Sequence, residues 1–162
     1  MKKAVFIIML ILLNINIVNA KEQVKFSDCV DGDTIKVLIK NKEKTLRLLA
    51  VDTPESVHPT KKVEYYGKEA SNFTCEKVKN AKSIEIEYDE NSDKEDKYNR
   101  LLVWLFVDSE LFQEQLVENG YAKVAYLYGD YKYTKDLEKA QEKAKKNNLG
   151  IWNKEEEKQY NE

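Results

Sequence analysis

Polar and apolar residues alternate from the first ordered-looking stretch of the chain. Over 23–28, Val24 and Phe26 alternate with Lys25 and Ser27, the period of a half-buried strand. The run 34–39, TIKVLI, is rich in β-branched residues, 41–43 is a polar turn, and 45–51 is again apolar, so these segments predict a three-strand meander. The period then changes. Ala70, Phe73, Thr74 and Val78 recur at helical spacing and predict a helix over 67–80 with one apolar stripe. Ile84, Ile86 and Tyr88 alternate with Ser83, Glu85 and Glu87 as a fourth strand over 82–88, and 101–107, LLVWLFV, reads as a fifth. A second helix is expected over 110–118, capped by Ser109 and stopped by Asn119-Gly120, and a third over 134–147 with Leu137, Ala140 and Ala144 on one face. Five short strands and three helices predict an α+β domain built on a small Greek-key β-barrel.

The ends of the chain follow different rules. Met1-Lys2-Lys3 is basic, 4–18 is almost wholly apolar, and Val18-Asn19-Ala20 resembles a cleavage triplet, so 1–20 reads as a signal peptide. A retained N-terminal membrane anchor is the alternative, but the strongly apolar part, 4–13, is shorter than the roughly 20 residues a span needs. The remainder has room for one domain, 21–153, followed by a charged tail, 154–162, expected to be disordered. Without Lys2 and Lys3 the chain has 25 basic and 29 acidic residues, a formal charge of −4, so any positive potential for a polyanion must be local. Cys29 and Cys75 are the only cysteines. Export makes a bridge conceivable, yet Cys75 falls off the inward stripe of its helix, and two separate thiols are expected.

The chemistry gathers in 30–55. Asp31 and Asp33 flank Gly32 at one strand mouth, while Asp52, Thr53 and Glu55 end another. If the two runs are neighbouring strands, Asp33 and Asp52 converge as hard oxygen ligands suited to Ca2+. Arg47 lies between them, and a forked guanidinium matches phosphate oxygens. The acidic stretch 89–96 invites a calcium-hand reading, but Lys94 stands where that loop needs glycine and Arg100 where it needs glutamate. It reads instead as a solvated loop. His58, the only histidine, reads as a surface residue of a mobile loop over 56–65.

Taken jointly, the aspartate-rich turn, Arg47-Leu48-Leu49 and Asp52-Thr53-Pro54-Glu55 resemble the catalytic core of the thermonuclease, or staphylococcal nuclease-like, family. The resemblance continues through Asp96-Lys97-Tyr98-Asn99-Arg100, where an arginine opens a strand, and through 122–128 to Leu149-Gly150-Ile151-Trp152. Asn99 departs from the family's usual glycine, although asparagine tolerates positive φ. The resemblance implies an oligonucleotide-binding (OB) barrel and an exported Ca2+-dependent endonuclease that hydrolyses DNA and RNA, single-stranded or denatured by preference, to 3′-phosphate products. It implies Asp33, Asp52 and the Thr53 carbonyl as metal ligands, with Asp31 acting through a metal-bound water. It further implies Glu55, Arg47 and Arg100 as catalytic groups and Tyr126 and Tyr128 beside the nucleotide, while Lys61, Lys62 and Lys97 read as local basic groups that contact substrate, with Tyr98 a further contact. The expected protein is a monomer without stable membrane association once the signal is removed. The rival reading is a non-catalytic module of the same fold that binds nucleic acid or protein, which has no reason to keep Arg47, Arg100 and Glu55 together.

Overall fold

A computed structural model of the protein describes residues 21–57, 60 and 62–162. The predicted signal at 1–20 lies outside the described residues, as do His58, Pro59 and Lys61. In chain order the elements are β1 (Glu22–Gln23), β2 (Lys25–Asp31), β3 (Thr34–Ile39), β4 (Lys42–Leu48), β5 (Val51–Asp52), α1 (Gly67–Lys79), β6 (Ile84–Glu87), β7 (Leu101–Val107), β8 (Glu110–Leu111), α2 (Phe112–Glu118), β9 (Lys123–Val124), α3 (Thr134–Lys146), a 3-10 turn (Gly150–Trp152) and α4 (Lys154–Asn161).

The predicted meander forms from β2, β3 and β4, paired antiparallel, with Lys40-Asn41 making the β3–β4 turn at positive φ in both positions. β4 then pairs parallel with β7, placing Arg47 opposite Leu102, and β7 pairs antiparallel with β6. The hydrogen-bonded order runs β1-β6-β7-β4-β3-β2. Its two ends, β1 and β2, are consecutive segments of one extended run separated only by Val24, whose N–H donates to Ile84 O (2.9 Å). The sheet therefore curls back on its own first strand, giving an OB-like α+β architecture. Inside it Ile35, Val37, Leu46, Leu48, Ile86, Val103 and Leu105 are fully buried, and α2 and α3 cover the core with Phe112, Leu116, Leu137 and Ala144.

Five expectations change. The run predicted as one strand over 45–51 breaks, because Ala50 adopts φ 59° and turns the chain so that Val51 and Asp52 pair with β9 instead. Ser109 does not cap a helix. With Asp108 it forms the positive-φ turn joining β7 to β8, and α2 begins only at Phe112. The acidic stretch 89–96 is not solvated throughout: Asp89 is buried, where it accepts bonds from Trp104 Nε1 and Lys132 N, both 2.8 Å. The tail expected to be disordered carries α4, a fourth α-helix. Its composition is that of a solvated charge run, but Asn153 accepts the Glu156 N–H and Glu155, Glu156 and Glu157 fill the first turn, where carboxylates favour the helix dipole.

The fifth change is covalent. Cys29 and Cys75 form a disulfide with Cα atoms 5.6 Å apart, where separate thiols were expected. The apolar stripe of α1 was the wrong guide, because α1 also lies along β2. Thr74, next to Cys75, donates its hydroxyl to Gly32 O (2.6 Å), and this contact brings the flank of the helix to Cys29.

Candidate active site

Three turns deliver the site. The first is the acidic turn after β2, where Asp31 Oδ1 accepts from Gly32 N (2.8 Å) and Ser56 Oγ (2.5 Å). A Cβ at Gly32 would lie 2.7 Å from Thr53 Oγ1, so only glycine lets this turn approach the end of β5 so closely. The second is the Ala50 turn, which aims the Leu48 and Val51 carbonyls at Arg47 Nη1 (2.6 and 3.0 Å). The same arginine presents Nη2 to Asp33 Oδ2 (3.1 Å) and, more distantly, to Asp52 Oδ1 (3.8 Å). The third is 96–100, where Asp96 accepts from the backbone of Tyr98 and Arg100 and from Arg100 Nε (2.7 Å). Asn99 adopts φ 61°, the conformation expected of the residue that replaces glycine.

Burial shapes the charges. It pushes the Asp33 carboxyl above its ordinary range, against the opposing pull of Arg47, the Thr34 hydroxyl and the Thr53 N–H. Glu55 is raised as well, first by burial and then by the hydrogen bond and charge of neighbouring Asp31. Asp96 goes the other way: burial raises it, but the Arg100 and Tyr98 N–H groups and the guanidinium outweigh that and hold it low. Asp52 is paired with Lys123 Nζ (3.1 Å), whose own pKa this bond raises.

These groups face one cleft of about 950 Å3, lined by Asp31, Asp33, Arg47, Asp52, Thr53, Glu55, Lys97, Tyr98, Arg100, Tyr126 and Tyr128 among others. Tyr98, Tyr126 and Tyr128 are 66, 51 and 84% exposed, so their rings form a rim and not a packed core. The loop bearing the last two is held from below: Asn91 Nδ2 donates to Asp130 O (2.7 Å), and Lys132 N binds the buried Asp89. Lys62 is not in this cleft. It faces the adjoining groove, with its ammonium 4.8 Å from the Tyr160 ring centroid, and Lys61 lies outside the described residues.

Lys123 was not foreseen from the sequence. It meets Asp52 only through the two-residue β5–β9 pairing, which leaves no periodic signal. Ser56 was missed for a similar reason, being an unremarked polar residue after the Asp-Thr-Pro-Glu run that closes on Asp31.

Among the described residues no three or more His, Cys, Asp or Glu side chains form a metal-binding group. Two carboxylates beside backbone and hydroxyl oxygens nevertheless form an all-oxygen donor set. Thr53 Oγ1 is buried there without a hydrogen-bond partner. These donors fit a hard cation, which commonly completes its shell with water and substrate oxygens. Two guanidiniums line the same cleft, Arg47 directly beside these carboxylates, and they fit an oxyanion.

The family model described as "Staphylococcal nuclease homologue" matches residues 45–154, a span that holds Arg47, Asp52, Thr53, Glu55, Arg100, Tyr126 and Tyr128, while Asp31 and Asp33 precede it. The chain is 41% identical to the thermonuclease of Staphylococcus hyicus over 135 residues, 83% of this chain and 78% of that protein. It is 38% identical to the thermonuclease of Staphylococcus intermedius, over 76% of this chain and 71% of that one. It is also 42% identical to endonuclease YncB of Bacillus subtilis (strain 168), over 77% of this chain but only 59% of that longer protein. On the family match and these identities, the chain belongs to the staphylococcal nuclease homologue family.

Proposed function

We propose that the protein is an exported nuclease that hydrolyses phosphodiester bonds in DNA and RNA with Ca2+, releasing 3′-phosphate products. One observation carries the reading: Arg47 and Arg100 enter the same cleft as Asp33, Asp52 and Glu55, inside a rim of exposed tyrosines. Export rests on the leader-like residues 1–20 alone.

A bound diester would lie between the guanidiniums, its non-bridging oxygens taking N–H donors as negative charge accumulates at phosphorus. Glu55 accepts a proton from water as the water oxygen bonds to phosphorus. The bond from phosphorus to the 5′ oxygen then breaks, that oxygen takes up a proton from solvent and Glu55 returns its proton to solvent, leaving a 3′-phosphate and a 5′-hydroxyl. Asp33, Asp52 and Thr53 would hold Ca2+, which supplies charge neutralisation for a phosphate oxygen. Lys123 shares Asp52 and limits the net negative charge the substrate meets. Tyr98, Tyr126 and Tyr128 offer ring faces to unstacked bases, which favours single strands with little choice of sequence.

The test is incubation of the protein with denatured DNA, with Ca2+ and with a chelator in place of Ca2+. Degradation only with Ca2+, abolished by Glu55→Gln, is the expected result. Full activity in chelator with no other divalent ion would remove the metal assignment, and intact DNA in both would favour a non-catalytic module.

A further inference from the structure

Glu55 is held by its backbone, and the residue that holds it does not line the cleft. The Glu55 N–H donates to Glu64 Oε2 (3.0 Å), and the Glu55 carbonyl accepts the Glu64 N–H (3.0 Å), so Glu64 binds residue 55 on both sides. The same carbonyl abuts the first residue of α1, since a Cβ at Gly67 would come within 2.6 Å of it.

Glu64 is in turn flanked by residues tied to α4. Tyr160 Oη donates to Val63 O (2.8 Å), and Tyr65 Oη donates to Glu156 Oε2 (3.2 Å). The Tyr65 and Tyr160 rings lie 5.6 Å apart, and Lys62 sits over the Tyr160 ring. Burial, followed by the bond to Glu156, pushes the Tyr65 hydroxyl up to about 12, so it remains a donor at any working pH. Glu64 itself lines the groove on the other side of Asp52 and Thr53 and faces no substrate phosphate in the cleft.

We propose that Glu64 is a positioning residue for Glu55, and that α4 is the strap that keeps 63–65 in place to do this. The inference rests on Glu55 acting on water as described above. The Glu55 carboxylate is carried on that backbone as well as bonded to Asp31, and displacing a reacting group by about 1 Å can cost roughly 100-fold in rate. Two hydrogen bonds from a single residue, backed by a glycine contact, fix that backbone. The strap fixes the residue that makes them.

The test uses the full chain with Glu64→Ala, Glu64→Gln, Tyr160→Phe and Glu55→Gln. It measures single-turnover cleavage of a short single-stranded oligonucleotide with Ca2+, oligonucleotide affinity, and hydrogen exchange of the Glu55 amide, with circular dichroism to confirm folding. Glu64→Ala should slow cleavage at least about tenfold, leave affinity within about twofold, and speed exchange at the Glu55 amide. Glu64→Gln keeps an oxygen acceptor in place and should restore most of the rate. Tyr160→Phe should act in the same direction, by about threefold, through the lost bond to Val63. Cleavage by Glu64→Ala within about twofold of the parent would overturn the proposal, as would equal slowing by Ala and Gln or a loss confined to affinity. A slow Glu55→Gln beside a fast Glu64→Ala rejects this inference alone, whereas a fast Glu55→Gln rejects the role of Glu55 and the inference with it.

Discussion

Arg47 leaves the paired part of β4 with Nη1 on two backbone carbonyls and Nη2 on Asp33, and its side chain is only 12% exposed. Arg100 enters the same cleft from the turn before β7, held at Nε by Asp96, with its side chain 31% exposed. The two carry the same charge and face the same space, yet one is held by two backbone carbonyls and a buried carboxylate and the other by a single loop carboxylate. The contrast sets a guanidinium with several fixed partners beside a more exposed one with a single side-chain partner. An oxyanion gains most from donors that need no reorganisation, and under the proposed function Arg47, with more fixed partners, would meet that condition more fully than Arg100.

Replacing either arginine by alanine should have the largest effect, a loss of about 10³–10⁵-fold in single-turnover cleavage. Lysine separates them. At position 47 an ammonium cannot span two carbonyls and a carboxylate, so Arg47→Lys should be nearly as slow as Arg47→Ala. At position 100, where Nε to Asp96 is the side-chain hydrogen bond, Arg100→Lys should recover a measurable part of the rate. Equal rescue at both positions would dissolve the comparison.

Next in size is the disulfide, which asks whether the rigid wall owes its rigidity to the sheet or to a covalent staple. Cys29 and Cys75 are 46 residues apart, and closing a loop of that length in the unfolded chain stabilises the fold by about 4 kcal/mol in the entropic account. Cys29→Ser with Cys75→Ser, or the parent under a thiol reductant, should lower Tm by on the order of 10 °C. Because Arg47 and Asp33 are held by β-ladder and backbone contacts, cleavage at 25 °C should remain close to that of the parent. A collapse of activity at a temperature where the double variant is still folded would instead assign the geometry of the acidic turn to the staple.

Asp96→Asn tests the side held by one carboxylate. Asparagine still offers an oxygen to the Tyr98 and Arg100 N–H groups but removes the charge facing the guanidinium, so cleavage should fall by about tenfold. The sign with pH follows from the lowered pKa of Asp96. A carboxylate depressed in the folded state adds stability that is fully present above its unfolded value of about 3.9 and is lost as pH falls through the folded value. The stability difference between parent and Asp96→Asn should therefore be constant near neutrality and shrink below about pH 4. A difference that grows on acidification would contradict the pairing.

The same contrast separates what the sequence revealed from what it hid. β3, β7 and α3 were legible because period and β-branching agree with burial there: Ile35 and Val37 point inward, as do Leu137, Ala140 and Ala144. Arg47, Asp52 and Glu55 were legible as a motif, and the cleft brings them together. The turns were not legible. Nothing in Leu49-Ala50-Val51 announces that an alanine takes φ 59°, because the parallel β4–β7 pairing and the β5–β9 bridge impose it. The Cys29–Cys75 bridge was hidden because a helix can serve two neighbours, and its apolar stripe reports only one. α4 was concealed by its composition, although Asn153 followed by Glu156 at the fourth position is a readable capping pattern.

The smallest effect should come from Asn99, and it bears most directly on whether Arg100 is aimed by its turn. At φ 61° an alanine side chain costs about 1–2 kcal/mol, while glycine has no such penalty. Asn99→Gly should therefore leave both stability and cleavage within about twofold of the parent. Asn99→Ala should lower stability by about 1 kcal/mol and slow cleavage a few-fold, because part of the strain is relieved by moving the turn, and Arg100 moves with it. Neither change should alter what Arg47 does, since the hydrogen bonds and ion pairs of that arginine go to Leu48, Val51, Asp33 and Asp52. The decisive measurement is a double-mutant cycle: Asn99→Ala should add nothing once Arg100 is alanine, yet keep its full effect when Arg47 is alanine. If Asn99→Ala instead slowed the Arg100→Ala protein as much as the parent, the turn would act on the cleft by some route other than the arginine it carries.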